Sequence, residues 1–269
     1  MNLVTFPGFG INLNINPILF SYGNIKIYWY GFLIVCSFII GLLLLKKFSK
    51  DYEIKIDNIL ELFILLVPIG IICARVYYVL FNLDYYKNNI GEIFKISSGG
   101  LAVYGGIIGC IITIYIYSKV RKIKFLKILD LFALVLPLGQ AIGRWGNFFN
   151  SEAYGSKTNS IFRMGIIENN EYIEVHPTFL YESICCLFIF FILQKVNKNK
   201  KYDGNVVYTY LFLYGIVRTF IETLRQDSLM IGNIKISLVI SVIFSVIFGA
   251  LLIYNKVKNN RKNKEEKKV

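Results

Sequence analysis

Seven stretches of this chain are long and apolar enough to cross a membrane, and that limits its fold more than any other feature. They cover about residues 27–45, 58–81, 101–118, 128–149, 177–194, 205–224 and 236–254. Roughly 20 consecutive apolar residues span a hydrocarbon core about 30 Å thick. Lipid offers the backbone no partner, so each stretch must satisfy its own peptide groups as a helix. The expectation is an all-α integral membrane protein with seven transmembrane helices, one polytopic domain over residues 1–269.

Charge in the connecting segments orients these spans. Lys46, Lys47, Lys50 and Lys55 follow the first stretch, and Lys119, Arg121, Lys122, Lys124 and Lys127 follow the third. Lys195, Lys198, Lys200 and Lys201 follow the fifth, while Lys256, Lys258, Arg261, Lys262, Lys264, Lys267 and Lys268 make a basic tail over 255–269. Seven crossings put all 20 of these cations on one side and leave Lys26, Lys87, Lys95, Lys157, Arg163, Arg225 and Lys235 on the other. Because positive residues stay cytoplasmic, the N-terminus is expected outside and the C-terminus inside. A net charge of +13 on a soluble chain would suggest nucleic acid. Distributed in these loops it suits anionic headgroups, and no nucleic-acid partner is expected.

The five cysteines (Cys36, Cys73, Cys110, Cys185, Cys186) all fall inside apolar stretches. They read as small buried hydrophobes and not as a disulfide framework or metal set. Pro7, Gly8, Gly10, Pro17 and Gly23 break up the first 26 residues, which lack the pattern of a cleaved signal peptide. The longest external loop, about 150–176, is expected to form a small subdomain. Within it, 164–167 and 172–175 flank Glu168, Asn169 and Asn170 as the arms of a hairpin.

Function is sought among residues that do not belong in lipid. Arg75, Arg144 and Arg218 lie within or at the end of apolar stretches. A buried charge there costs at least about 2.5–3.5 kcal/mol, so such residues face the protein interior and have a task. A planar guanidinium can donate two parallel hydrogen bonds to phosphate oxygens. Arg144 and Asn147 are three apart and share a helix face, with Asn150, Glu152 and Gly155 beyond them. Gly139, Gly143 and Gly146 recur at spacings that let a neighbour approach the backbone. Tyr214, Arg218, Glu222 and Arg225 form one stripe, on which Arg218 and Glu222 can pair. The plainer alternatives are a polar helix end anchored by Trp145 and an ion pair that only fixes helix packing.

Two further features are weaker alone. Ser97-Ser98-Gly99-Gly100 and Gly105-Gly106 flank Tyr104, where glycines would interrupt a helix and a turn with free N–H groups can receive an anion. His176 is the single histidine and precedes Pro177 at the start of the fifth stretch. No nucleophile elbow or metal spacing accompanies it.

The segment Gly143 to Gly155 resembles the signature of the bacterial prolipoprotein diacylglyceryl transferases, Gly-Arg-x-Gly-Asn-Phe-x-Asn-x-Glu-x-x-Gly, and meets every fixed position. Tyr28-Trp29-Tyr30-Gly31, Ala74-Arg75, Asp130, Pro137, the His176–Glu182 run and Tyr214-Gly215-x-x-Arg218-x-x-x-Glu222-x-x-Arg225 are similar to other family motifs. Tyr104 stands where many members carry a histidine, and Asn233 stands near the last span where they carry glutamine. The resemblance implies a multi-pass protein of the bacterial cell membrane that needs no metal or organic cofactor. Its implied substrates are phosphatidylglycerol and the lipobox cysteine of a prolipoprotein signal peptide.

The resemblance also implies roles. Arg144, Arg218, Tyr104 and Glu152 are expected to be catalytic, with Arg144 and Arg218 on the phosphate. Asn147, Asn150, Tyr30, Glu222, Arg75, Tyr214, Gly155 and His176, together with Arg144, are expected to bind substrate. The alternatives are a transporter, which also tolerates arginines and broken helices in the membrane, and an intramembrane protease. The first leaves the signature unexplained, and the second lacks a Ser–His pair or a second aspartate beside Asp130.

Overall fold

The computed structural model describes residues 2–23, 25–95, 99–226, 230–232 and 234–266. Ser97, Ser98, Asn233, Lys267 and Lys268 lie outside them. Each expected apolar stretch is helical over most of its length. The long helices are α1 (Trp29–Phe48), α2 (Ile56–Leu80), α4 (Val103–Val120), α7 (Thr178–Lys198), α8 (Asn205–Leu224) and α9 (Ile236–Glu266). Shorter ones are α3 (Leu83–Tyr86), α5 (Phe125–Ala133) and α6 (Leu136–Asn150).

Among the described residues, α1, α2, α4, α7 and α9 are long and apolar enough to span a membrane, and α5 with α6 makes a sixth if read as one broken span. The stretch 128–149 is therefore not continuous. Its helix stops after Ala133 and restarts at Leu136, with Pro137 in the new first turn, where a missing N–H costs nothing. The helix α8 has the length of a span but falls below the others in apolarity, because it carries Arg218, Glu222 and three tyrosines.

The expectation of an all-α chain is corrected by eight strands among the described residues. Strands β1 (Asn2–Phe6), β2 (Ile11–Ile15), β5 (Met164–Glu168) and β6 (Glu171–Val175) form one antiparallel sheet in the order β2-β1-β5-β6. Strands β3 (Ile18–Tyr22) and β4 (Ile25–Tyr28) make a hairpin, as do β7 (Met230–Ile231) and β8 (Ile234–Lys235). The hairpin expected within 150–176 is β5–β6, turned by Asn169 and Asn170 at positive φ, as a tight hairpin requires. Its pairing with the N-terminal strands was not expected. Val4 faces Ile166, and both are buried with Ile15, Met164 and Val175. Phe148 of α6 and Phe179 of α7 complete this core. The sheet thus stands on the same helix ends that carry the signature.

The chain divides into two compact units, Met1–Leu44 with Phe132–Val269, and Leu45–Leu131. In the second, α2 packs on α4. A side chain at Gly109 would meet Cys73 Sγ at 2.5 Å, and one at Gly105 would meet Cys73 O at 2.5 Å. Close backbone approach of this kind packs helices where no hydrophobic force drives them together. In the first unit α6, α7, α8 and α9 pack in succession.

Candidate active site

Buried Glu182, on α7, gathers the polar residues of three helices. Arg144 Nη2 of α6 donates to its Oε1 at 2.7 Å, and the Tyr214 hydroxyl of α8 donates to the same oxygen at 2.9 Å. Arg218 Nη1 of α8 reaches Oε2 at 3.3 Å. The pairing expected within the α8 stripe is present, with Arg218 Nη2 at 2.7 Å from Glu222 Oε2. That contact is an ion pair without an aligned N–H, since among the described residues neither Glu222 oxygen receives a hydrogen bond.

Burial is layered across this cluster. The carboxylate side chains are 1% exposed, whereas those of Arg144 and Arg218 are 22% and 18% exposed. The carboxylates are therefore the more deeply buried partners, and the two arginine side chains keep what exposure the cluster has. Both arginines are fixed before any ligand arrives, which is what makes electrostatic stabilisation effective.

The signature builds outward from Arg144. Its Nη1 donates to Asn147 Oδ1 at 3.2 Å, and Asn147 Nδ2 donates to Glu152 Oε1 at 2.9 Å. Asn150 Nδ2 reaches the same oxygen at 3.3 Å. Glu152 thus orients the two amides and not the arginines. The chain turns here through Ser151 and Ala153, both at positive φ, and Glu152 N–H returns to Asn147 O at 3.0 Å.

Gly155 then passes between α7 and α8. Its N–H donates to His176 O at 2.9 Å, and a side chain at this position would lie 2.8 Å from His176 Cβ and 3.1 Å from Leu224 O. His176 is half-buried, with Nδ1 3.4 Å from the Tyr181 hydroxyl, and burial lowers its pKa below the ordinary histidine value.

Tyr30 of α1 packs on Gly146, where a methyl group would stand 2.4 Å from its ring Cδ2. Of the other two glycines in that row, Gly143 meets Ile34 at ordinary distance, and nothing described comes within 4 Å of the Cβ position at Gly139. Gly146→Ala should therefore displace the Tyr30 ring, cost about 1–3 kcal/mol of stability and slow turnover. Thermal unfolding in detergent and a rate assay check both. Beside Tyr30 lies an open groove of about 630 Å³, lined by Lys26, Tyr28, Tyr30 and Asn150 and by apolar Phe32 and Val35, among others.

Arg75 and Tyr104 belong to the second unit. The Arg75 side chain donates to five main-chain carbonyls, those of Ile93, Gly99, Gly100, Glu92 and Lys95. A guanidinium has five N–H groups, so this one is fully engaged in holding the segment before α4. The helix α4 begins at Val103 and runs unbroken through Gly105 and Gly106. Tyr104 is its half-buried second residue. Described glycines of this turn offer Arg75 their carbonyls, in contrast to the expected anion-binding N–H groups.

Sequence reasoning missed Glu182 as a site residue. It lies inside an apolar stretch as the arginines do, and the test applied to them, that a lone charge at membrane depth has a task, would have found it.

Membrane-length helices, with two arginines held on one buried carboxylate, define a multi-pass membrane protein. The sequence profile described as prolipoprotein diacylglyceryl transferase matches residues 17–254, and the chain belongs to that family. A phosphatidylglycerol–prolipoprotein diacylglyceryl transferase of Clostridioides difficile is 49% identical over 223 residues, 83% of this chain and 88% of the relative. One from Finegoldia magna is 47% identical over 224 residues, 83% and 89% of the two chains. One from Clostridium novyi is 44% identical over 250 residues, 91% and 97%.

Proposed function

We propose that the chain transfers the diacylglyceryl group of phosphatidylglycerol to the lipobox cysteine of a prolipoprotein signal peptide, in a bacterial cell membrane. Family membership supports the reaction. The observation that carries the assignment of residues is the buried carboxylate of Glu182, which holds both Arg144 and Arg218.

The cysteine sulfur, as thiolate, attacks the diacylglyceryl carbon bonded to the phosphodiester oxygen. The C–S bond forms as the C–O bond breaks, the electron pair leaves with the oxygen, and the products are a thioether and glycerol phosphate. Negative charge grows on the departing phosphate, and Arg144 and Arg218 stabilise it. Asn147 and Asn150, held by Glu152, keep Arg144 in direction and shape the headgroup site. Tyr214 fixes Glu182 through its hydroxyl, and Gly155 and His176 hold the signature strand against α7.

The groove beside α1 offers a headgroup Lys26, Tyr30 and Asn150, and an acyl chain Phe32 and Val35. Tyr104 is assigned to the relay of the thiol proton and Arg75 to the support of its helix. Seven spans with the N-terminus outside place the signature at the outer leaflet. Both substrates are membrane-embedded and reach the site laterally.

The test is incubation of the purified chain with phosphatidylglycerol vesicles and a fluorescent lipobox peptide, followed by mass spectrometry. A gain of one diacylglyceryl group, absent when the peptide cysteine is alanine, is the expected result. No gain with folded protein would overturn the reading.

A further inference from the structure

The end of α8 is closed from two sides. On one, Ser156 N–H donates to Leu224 O at 2.7 Å, and Gly155 bridges to Arg225. On the other stands Lys235, the last residue of β8. Its Nζ donates to Glu222 O at 2.8 Å and to Arg225 O at 2.6 Å. The neighbouring Ile234 is 60% exposed while Lys235 is half-buried, so the β7–β8 hairpin turns the lysine inward onto the helix.

The last carbonyls of a helix have no partner within it. A cation at that end both satisfies them and opposes the negative pole of the helix dipole. Glu222, whose carbonyl Lys235 holds, carries the carboxylate that stands 2.7 Å from Arg218. That carboxylate receives no aligned hydrogen bond among the described residues, so its direction depends on the backbone that bears it.

We infer that Lys235 is a positioning residue for the transfer reaction. By clamping the Glu222 carbonyl in the final turn of α8 and the Arg225 carbonyl just past it, Lys235 fixes Glu222, and through Glu222 the guanidinium of Arg218. It acts through the helix, one ion pair removed from Arg218. In the sequence it reads only as one more loop cation. The inference rests on the reaction proposed above, which requires Arg218 to be held before the phosphate arrives.

The experiment compares full-length Lys235→Met, Lys235→Gln and Lys235→Arg with the unmodified chain in lipid nanodiscs. It measures kcat, KM for phosphatidylglycerol, unfolding temperature and amide hydrogen exchange across residues 218–226. Lys235→Met should lose about tenfold in kcat with KM within about twofold, and exchange should quicken over the last turn of α8 and not in α2 or α4. Lys235→Arg, which can still donate to both carbonyls, should recover most of the rate and protection. Should Lys235→Met not fold, Lys235→Gln against Lys235→Arg makes the same comparison. A kcat within twofold in the neutral variants, or Lys235→Arg as slow as they are, would overturn the inference. If the unmodified chain transfers nothing, the proposed reaction fails, and unchanged exchange over 218–226 would still refute the clamp.

Discussion

Glu182→Gln should lower diacylglyceryl transfer by about a hundredfold or more, and it should do so in a protein that still folds. The substitution keeps the side-chain shape and one acceptor oxygen, but it removes the charge that Arg144 and Arg218 share at 2.7 and 3.3 Å. Breaking a buried pair by removing one partner costs about 3–5 kcal/mol, because the remaining charge is left uncompensated. Here Arg218 would be left with Glu222, and Arg144 with the neutral Asn147. The two arginines would respond by turning apart, towards solvent or headgroups, and the pair that meets the phosphate would lose its geometry. Steady-state kinetics beside unfolding temperature measures both consequences. A rate within threefold of the unmodified chain would mean that Glu182 merely packs α7, and that the arginines are held by something else.

The second large effect is expected at Arg144. Arg144→Lys should lose about a hundred- to a thousandfold in kcat, the range seen when one preorganised donor to a developing oxyanion is removed. Charge is retained in this variant, so the loss isolates geometry. Arg144 spans Asn147 and Glu182 with different nitrogens. An ammonium is a point charge with no fork and cannot hold those directions together. KM for phosphatidylglycerol should rise less than kcat falls, because the interaction strengthens as charge develops on the leaving oxygen. If Arg144→Ala and Arg218→Ala both kept near-normal transfer in purified protein, the phosphate clamp would be wrong.

How much of this was legible in the sequence depended on the range of the contacts involved. Helical spacing within one element was enough to pair Arg218 with Glu222 and to set Arg144 beside Asn147, and both contacts are present. Contacts between elements were not legible in that way. Glu182 joins helices that spacing cannot relate, and its role emerges only when α6, α7 and α8 are packed. The N-terminal strands were missed for a similar reason. Strands β1 and β2 are too short to compete with the apolar stretches for attention, and Val4 pairs with Ile166, 162 residues further along the chain.

Arg75 shows a different limit. An arginine in an apolar stretch suggests a phosphate ligand, yet main-chain carbonyls from its own loop engage its donors. Backbone acceptors carry no signature in side-chain sequence. The break within 128–149 was marked by Pro137, but a proline near a helix start and a proline within a kinked helix look alike until the chain is folded.

The length of α9 has a mechanical consequence. At about 1.5 Å per residue, its 31 residues make a rod of about 46 Å, against a hydrocarbon core of about 30 Å. One end of the rod, with Lys256 and Lys258, must protrude among or beyond the headgroups. Those charges act as a float that stops the rod from sinking, because submerging them would cost far more than thinning the lipid nearby. α8 rides on this rod, with Gly215 close against Ser241 and Ser245. Shortening α9 by a turn should therefore change the depth at which α8, and Arg218 with it, sits in the bilayer.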